Sequence, residues 1–378
     1  MKWRVFFYVQ HLLGIGHLVR ATRIARALAD GPFEVTLASG GMPVTGLDIG
    51  AARLVQLPPL RAGASGFSAL VDADGEPLTT AGEAARAAAL RAAYDAAGPH
   101  VLMFEAFPFA RRQMRFELSA LLDHARAQRP RPLVLASIRD ILQEVRKPGR
   151  AEETAALVEA AFDHVLVHGD EALTPLEASF PLAARFADKL VYTGLVGPPG
   201  PVGQLIDTHD VIVSAGGGAV GAALIAAALA ARPLTAVRDL RWLVLTGPNL
   251  PVDAAAALAA LSNIRVTVLP FVPDLPRRLA GAALSISQAG YNTVAEVLAA
   301  RCRAVLVPFA AGGETEQTAR AQALARRGLA VTLAEDALTP ERLARAIAAA
   351  LDLPALASDT RQGGAAATRA FLEARLAR

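Results

Sequence analysis

The sequence predicts an α/β fold divided into two parallel-sheet halves. Short apolar runs ending in small residues, each followed by a glycine-containing turn and a segment with apolar residues at helical spacing, recur on both sides of the midpoint. Between the halves, residues 194–203 contain Gly-Pro-Pro-Gly-Pro without periodicity, the composition of an interdomain linker. A length of 378 residues admits two cores, and a hydrophobic content of 53% with only 5% aromatics suits many helices on sheets. The expected domains are 1–194 and 210–364, joined by a linker at 195–209 and followed by a helix at 365–378.

In the first half, a strand at 3–10 leads through a turn at 11–16 into a helix at 17–29, whose Leu18, Ala21, Ile24, Ala25 and Leu28 share one face. The next strand is 34–39. The turn Gly14-Ile15-Gly16-His17 lacks the third glycine of a dinucleotide fingerprint, and Ser39-Gly40-Gly41 supplies no acidic residue for an adenosine ribose, which argues against a nicotinamide cofactor. The turn does carry His17 at a helix start. There the dipole disfavours imidazolium and leaves a neutral ring able to take a proton, although a lone histidine also serves as a structural residue. Arg20, Arg23 and Arg26 at three-residue spacing read as a solvated face, in preference to a patch for an anionic acceptor or a membrane surface. A long loop is expected within 46–80, helices at 82–97 and 111–128, and strands at 101–105, 133–137, 164–168 and 190–193. The polar strand ends Glu105, Asp140, His168 and Asp170 are candidates to line an acceptor side.

The second half restarts with a strand at 211–214, and Gly216, Gly217 and Gly218 open an alanine-rich helix. Strands at 242–246 and 265–269 follow. The apolar run 283–287, the turn 288–292 and the helix 293–300 form the unit with the clearest chemical content. Unpaired N–H groups at that helix start suit a phosphate, and Gly290 lets backbone approach a ligand. Glu296, one turn further along, has the two acceptor oxygens that a ribose diol needs. A second strand, loop and helix at 304–308, 309–315 and 316–327 bring Glu316 and Gln317 to a helix entry, where they offer acceptors and donors to sugar hydroxyls. Ordinary turns of a parallel α/β sheet use the same residue types.

No stretch of eighteen or more uncharged apolar residues is present, so a spanning helix is not expected. The start, Met1-Lys2-Trp3-Arg4, precedes an apolar run that Gln10 and His11 cut short, and reads as a first strand in place of a signal peptide. The lone Cys302 excludes an internal disulfide and points to a cytoplasmic location. A net charge of +3 gives no case for nucleic acid. There is neither an Asp-x-Asp tripeptide nor a His/Cys cluster at metal-ligand spacing, so no metal is expected.

The run from Gln288-Ala289-Gly290 through Asn292-Thr293 to Glu296, then Val307-Pro308-Phe309 and Glu316-Gln317, resembles the donor-binding region of GT-B glycosyltransferases, in particular the MurG-like family 28 transferases. The resemblance implies two Rossmann-like domains facing across a cleft, with a UDP-sugar as co-substrate and no other cofactor. It puts Glu296 on the ribose and Gln317 on the second glutamine of a donor-sugar pair, with Glu316 in place of the first. It also puts Gly216, Gly217 and Gly218 near the diphosphate, and the backbone around Val272 on the uracil edge. The terminal helix would cross back to the first domain. The first turn, Gly14 to Arg20, resembles the family's first loop, which gives Gly14 and Gly16 to the donor and His17 to catalysis. It resembles even more closely the Gly-x-Gly-His-x-x-Arg turn of GT-B-like nucleotide-sugar hydrolases and of an uncharacterised group of predicted glycosyltransferases. Three readings follow: transfer to an unidentified acceptor, lipid-linked or small; hydrolysis of the donor; and a non-catalytic sugar-nucleotide-binding subunit. Peripheral contact with the inner membrane face is compatible with the first.

Overall fold

The computed structural model describes residues 2–63, 66–144, 147–198, 209–216, 221–247, 250–354 and 360–377. The chain divides into two compact units, Met1–Val196 with Gly363–Arg378, and Gly197–Gln362.

The first unit runs β1 (Trp3–Val9), α1 (Gly16–Ala29), β2 (Phe33–Ser39), β3 (Arg53–Gln56), β4 (Arg61–Gly63), β5 (Gly66–Val71), α2 (Thr80–Ala97), β6 (Val101–Glu105), α3 (Arg115–Ala127), β7 (Leu133–Arg139), α4 (Arg150–Ala161), β8 (His164–His168) and β9 (Leu190–Tyr192). Seven of these strands form one parallel sheet in the order β3-β2-β1-β6-β7-β8-β9. Helices cover both faces, so the inner strands read as nearly unbroken apolar runs. In β1, Phe6 and Tyr8 join the core with α2 and α3, while Val5, Phe7 and Val9 join the core with α1. The Thr79 hydroxyl caps α2 by accepting from Gly82 N, and Gly98 closes it in the left-handed region.

The second unit runs β10 (Val211–Ser214), α5 (Ala222–Ala231), β11 (Trp242–Leu245), α6 (Val252–Ala259), β12 (Val266–Leu269), α7 (Leu275–Gly281), β13 (Leu284–Ser287), α8 (Tyr291–Ala299), β14 (Ala304–Leu306), α9 (Glu316–Arg326), β15 (Val331–Thr332) and α10 (Pro340–Leu351). Its parallel sheet has the order β12-β11-β10-β13-β14-β15. Each unit therefore starts in the middle of its sheet, builds outward to one edge, and returns to build the other. The reversal lies between β1 and β6 in the first unit and between β10 and β13 in the second, the places where doubly wound sheets bind ligands.

The last helix, α11 (Gly364–Leu376), belongs to the first unit. Leu372 is buried in the core shared with α1, and Phe371 meets the His164 ring edge to face at 5.1 Å. Gly364 is required at its start, because a Cβ there would stand 2.2 Å from the backbone oxygen of Gly194.

The expected long loop within 46–80 instead contains β3 and the antiparallel pair β4–β5, whose short strands alternate too little to announce themselves. Helices α4, α6 and α7 and strand β15 are further elements that the sequence pattern does not predict. Most of the expected linker, residues 199–208, and the expected donor residues Gly217 and Gly218 lie outside the described residues.

Candidate active site

The turn after β1 and the end of β6 flank the reversal point of the first sheet, and they bring His17 and Glu105 together. His17 Nδ1 lies 2.9 Å from Glu105 Oε1. Arg20, one turn along α1 from His17, donates to the same carboxylate oxygen. Ser137 Oγ donates to the other oxygen, Oε2, at 2.7 Å. Glu105 is fully buried, and His17 retains 18% side-chain exposure. Burial by itself would raise the Glu105 pKa, but the Arg20 charge and the hydrogen bonds from His17 and Ser137 hold it down to about 2. The carboxylate is therefore ionised at neutral pH.

His17 is kept neutral. Burial and the nearby Arg111 charge lower its pKa to about 3; Glu105 opposes this and Arg20 adds to it. With Nδ1 donating to Glu105, Nε2 carries the lone pair, and it makes no hydrogen bond among the described residues. Desolvation and the neighbouring cations thus favour the neutral ring that is expected of a histidine at a helix start. Arg111 comes from a loop in which two non-glycine residues, Ala106 and Arg111, hold left-handed backbone with φ of 68° and 64°. Such strain persists where surrounding structure enforces it. Arg111 Nε donates to Gln10 O at 2.7 Å, which anchors the guanidinium beside His17.

Several expectations need correction here. Glu105 and His168 are fully buried and Asp140 is 2% exposed, so these three stand behind the surface and do not line it. Asp140 Oδ1 accepts from Ile141 N at 2.9 Å. Asp170 is also buried and accepts from Ala172 N. Arg20, read as part of a solvated face, is 2% exposed and paired with Glu105, while Arg26 does reach solvent and pairs with Asp48. Sequence reasoning missed Arg20, Arg111 and Ser137 as parts of the site. Ser137 had a usable signal, a polar residue inside the otherwise apolar Leu-Val-Leu-Ala-Ser-Ile run. Gly14 is exposed with open space at its Cβ position, and Gly16 begins α1.

In the second unit, Gly216 after β10 lies close to the turn after β13, which in turn is tied to the turn after β14. Gly216 has φ of 71°, and a Cβ on it would lie 3.8 Å from Gln288 Oε1. Ala289 is buried between two contacts: its N–H donates to Gln317 Oε1 at 3.0 Å, and its carbonyl accepts from Arg320 Nη1 at 2.8 Å. Gly290 caps α8 in extended geometry, with nothing within 4 Å of a Cβ placed on it. Asn292, Thr293 and Glu296 are half-buried along the first turns of α8. Gln317 Oε1 also accepts from Phe309 N at 3.2 Å. Its oxygen is thus committed to backbone, and the amide nitrogen is the part left for a ligand. Glu316 is 3% exposed and pairs with Arg320 at 2.6 Å, so its Oε1 is engaged by a cation inside the protein. Val272 is 5% exposed beside the exposed Phe271. Among the described residues, no three His, Cys, Asp or Glu side chains are grouped as metal ligands would be, and no helix is long and apolar enough to cross a membrane.

Residues 211–371 match the glycosyltransferase family 28 C-terminal domain. The whole chain superposes on solved glycosyltransferases. The glycotransferase of kitacinnamycin is similar with a TM-score of 0.66 and 16% identity, covering 100% of both chains. Acinetobacter baumannii MurG is similar with a TM-score of 0.60 and 18% identity, over 99% of this chain and 100% of the other. The chain has the GT-B fold, and its residues 211–371 are similar to the family 28 C-terminal domain. Among curated relatives, the UDP-N-acetylglucosamine--N-acetylmuramyl-(pentapeptide) pyrophosphoryl-undecaprenol N-acetylglucosamine transferase of Brucella anthropi is 35% identical over 180 residues. That match covers 45% of this chain and 48% of the relative, so the chain spans about half the length of this relative. The family 28 domain contains the turns after β10, β13 and β14, with Gln288, Glu296 and Gln317.

Proposed function

We propose that the protein transfers a sugar from a UDP-sugar to an acceptor hydroxyl, with His17 as the base and the family 28 domain holding the nucleotide. The observation that carries this reading is the His17–Glu105 pair: a neutral imidazole with Nε2 unengaged, backed by an ionised buried carboxylate. Such a ring can take the proton of an attacking hydroxyl, and Glu105 stabilises the imidazolium that forms. In the family 28 domain, Glu296 would accept from the ribose diol, and N–H groups at the start of α8 would face the diphosphate. Backbone around Val272 would read the uracil edge. Departure of the diphosphate would rely on these amides and the helix N-terminus without a bound cation.

The name of the Brucella relative specifies UDP-N-acetylglucosamine and a lipid-linked acceptor, which makes them the first pair to try. The internal pairing of Glu316 with Arg320 leaves the donor sugar open to a wider panel. Action on the cytoplasmic side, with peripheral membrane contact where the acceptor is lipid-linked, belongs to the same proposal. The deciding experiment incubates the protein with a panel of UDP-sugars, with and without lipid-linked and small-molecule acceptors. Acceptor-dependent loss of donor with a new glycoside supports transfer. Free sugar released at an acceptor-independent rate assigns hydrolysis instead, and binding without turnover assigns a non-catalytic subunit.

A further inference from the structure

Glu105, Ser137, His168 and Thr193 lie near the carboxyl ends of the neighbouring strands β6, β7, β8 and β9, and their side chains are joined in one row. Ser137 Oγ is 2.7 Å from Glu105 Oε2 and 2.9 Å from His168 Nε2, and His168 Nδ1 is 2.8 Å from Thr193 Oγ1. All four residues are at most 1% exposed. Proton counting gives the row a direction. A carboxylate only accepts, so the single Ser137 hydroxyl proton goes to Glu105. The Ser137 oxygen must then accept from His168, which puts the ring proton on Nε2. A neutral His168 then presents Nδ1 as an acceptor to the Thr193 hydroxyl at 2.8 Å, the shortest of that hydroxyl's contacts, the carbonyls of Gly194 and Val167 being 3.2 and 3.4 Å away. The opposite ring tautomer would face Ser137 with two acceptors and one proton to share between them.

We propose that Ser137, His168 and Thr193 are positioning residues for His17: a one-way row of donors that fixes the Glu105 carboxylate and, through it, holds the His17 proton on Nδ1 with the Nε2 lone pair presented to the attacking hydroxyl. This rests on the role of His17 as base in the proposed reaction. The charged groups facing His17 are Glu105 from β6, Arg20 from α1 and Arg111 from the loop after β6; those facing His168 are Arg20 and Glu105. Both arginines oppose protonation of His17, and the carboxylate is the facing charge that favours it. Each donor to Glu105 spreads the negative charge away from His17, and hydrogen bonds in such a row polarise one another. Removing the Ser137 hydroxyl concentrates charge on the oxygen that His17 meets and makes the ring more basic.

The test uses the full chain with nitrogen-15-labelled histidine. Nuclear magnetic resonance at pH 7 is expected to show His17 protonated at Nδ1 and His168 at Nε2. In Ser137→Ala the His17 titration midpoint should rise by about one unit, and kcat should fall about tenfold with KM nearly unchanged, because the carboxylate that orients the ring has lost a fixing hydrogen bond. Ser137→Thr, which keeps a hydroxyl, should restore both. A His168 proton on Nδ1, an unmoved His17 midpoint in Ser137→Ala, or an unchanged kcat in that variant each overturns the proposal. The ring-nitrogen readouts need no turnover. A wild-type protein that turns over no nucleotide sugar but shows the expected ring protons and midpoint shift removes the transferase reading and leaves the donor row in place.

Discussion

The side-chain oxygen of Gln317 lies 3.0 Å from the backbone nitrogen of Ala289 and 3.2 Å from that of Phe309, so one amide ties the turn after β13 to the turn after β14. A residue expected only to select a sugar also shapes the loop that would hold the nucleotide. Gln317→Ala should therefore weaken UDP and UDP-sugar binding alike, by about tenfold for two neutral hydrogen bonds worth roughly 0.5–1.5 kcal/mol each. Gln317→Glu retains the acceptor oxygen and loses the donor, so it should weaken UDP-sugar while sparing UDP. Titration calorimetry with both ligands separates the effects; undiminished UDP affinity in the alanine variant would contradict the tie.

His17→Ala and His17→Asn should lower turnover by about a hundred- to ten-thousand-fold while nucleotide affinity stays within a few-fold. Steady-state rates alongside UDP binding provide the comparison. Undiminished turnover would return His17 to the structural histidines.

Arg20 and Glu105 form a buried ion pair, and removing one partner strands the other. Arg20→Met should cost roughly 3–5 kcal/mol of stability in urea denaturation, and adding Glu105→Gln should recover a large part of it. A single variant as stable as wild type would show that solvent already compensates the carboxylate.

Acid should destabilise the first unit before carboxylates titrate. His17 and His168 have folded pKa values of about 3 against an ordinary 6.5, so the unfolded chain binds more protons as pH falls below 6.5. Stability is complete above about pH 6.5 and declines toward pH 3, with each histidine contributing on the order of 1 kcal/mol per pH unit. Glu105, held at about 2 against an ordinary 4.5, adds to the loss below pH 4.5. Urea midpoints at pH 7, 6 and 5 should fall in that order, and a flat or rising series would refute the assignment.

Chelation should leave turnover unchanged, because the proposed site assigns the diphosphate to backbone amides and a helix start. Loss of activity in a chelator, with recovery on adding a divalent ion, would place a cation in the reaction.

The periodic segments were legible in the sequence because helical and strand periods are local. Strands 101–105 and 164–168 coincide with β6 and β8, and helix 82–97 lies within α2. The hairpin β4–β5 was not legible, since pairing of such short strands depends on partners and not on pattern. His17 could be found from its place between a glycine turn and a helix. Its partner could not be assigned, because Glu105 is 88 residues away and the parallel register of β1 with β6 brings them together. Three-residue spacing likewise misread Arg20: the helix face it shares looks outward at Arg26 and inward at Arg20, and only the sheet decides which.

The return of α11 to the first unit sets a timetable for synthesis. The second unit is one uninterrupted segment, Gly197–Gln362, whereas the first is encoded in two pieces. Domains tend to fold as they leave the ribosome, at about 5–20 residues per second. The apolar surface of α1 that Leu372 covers must therefore wait, uncovered, while the whole second unit is translated, on the order of ten to thirty seconds. Slowing translation within the second unit lengthens that exposure.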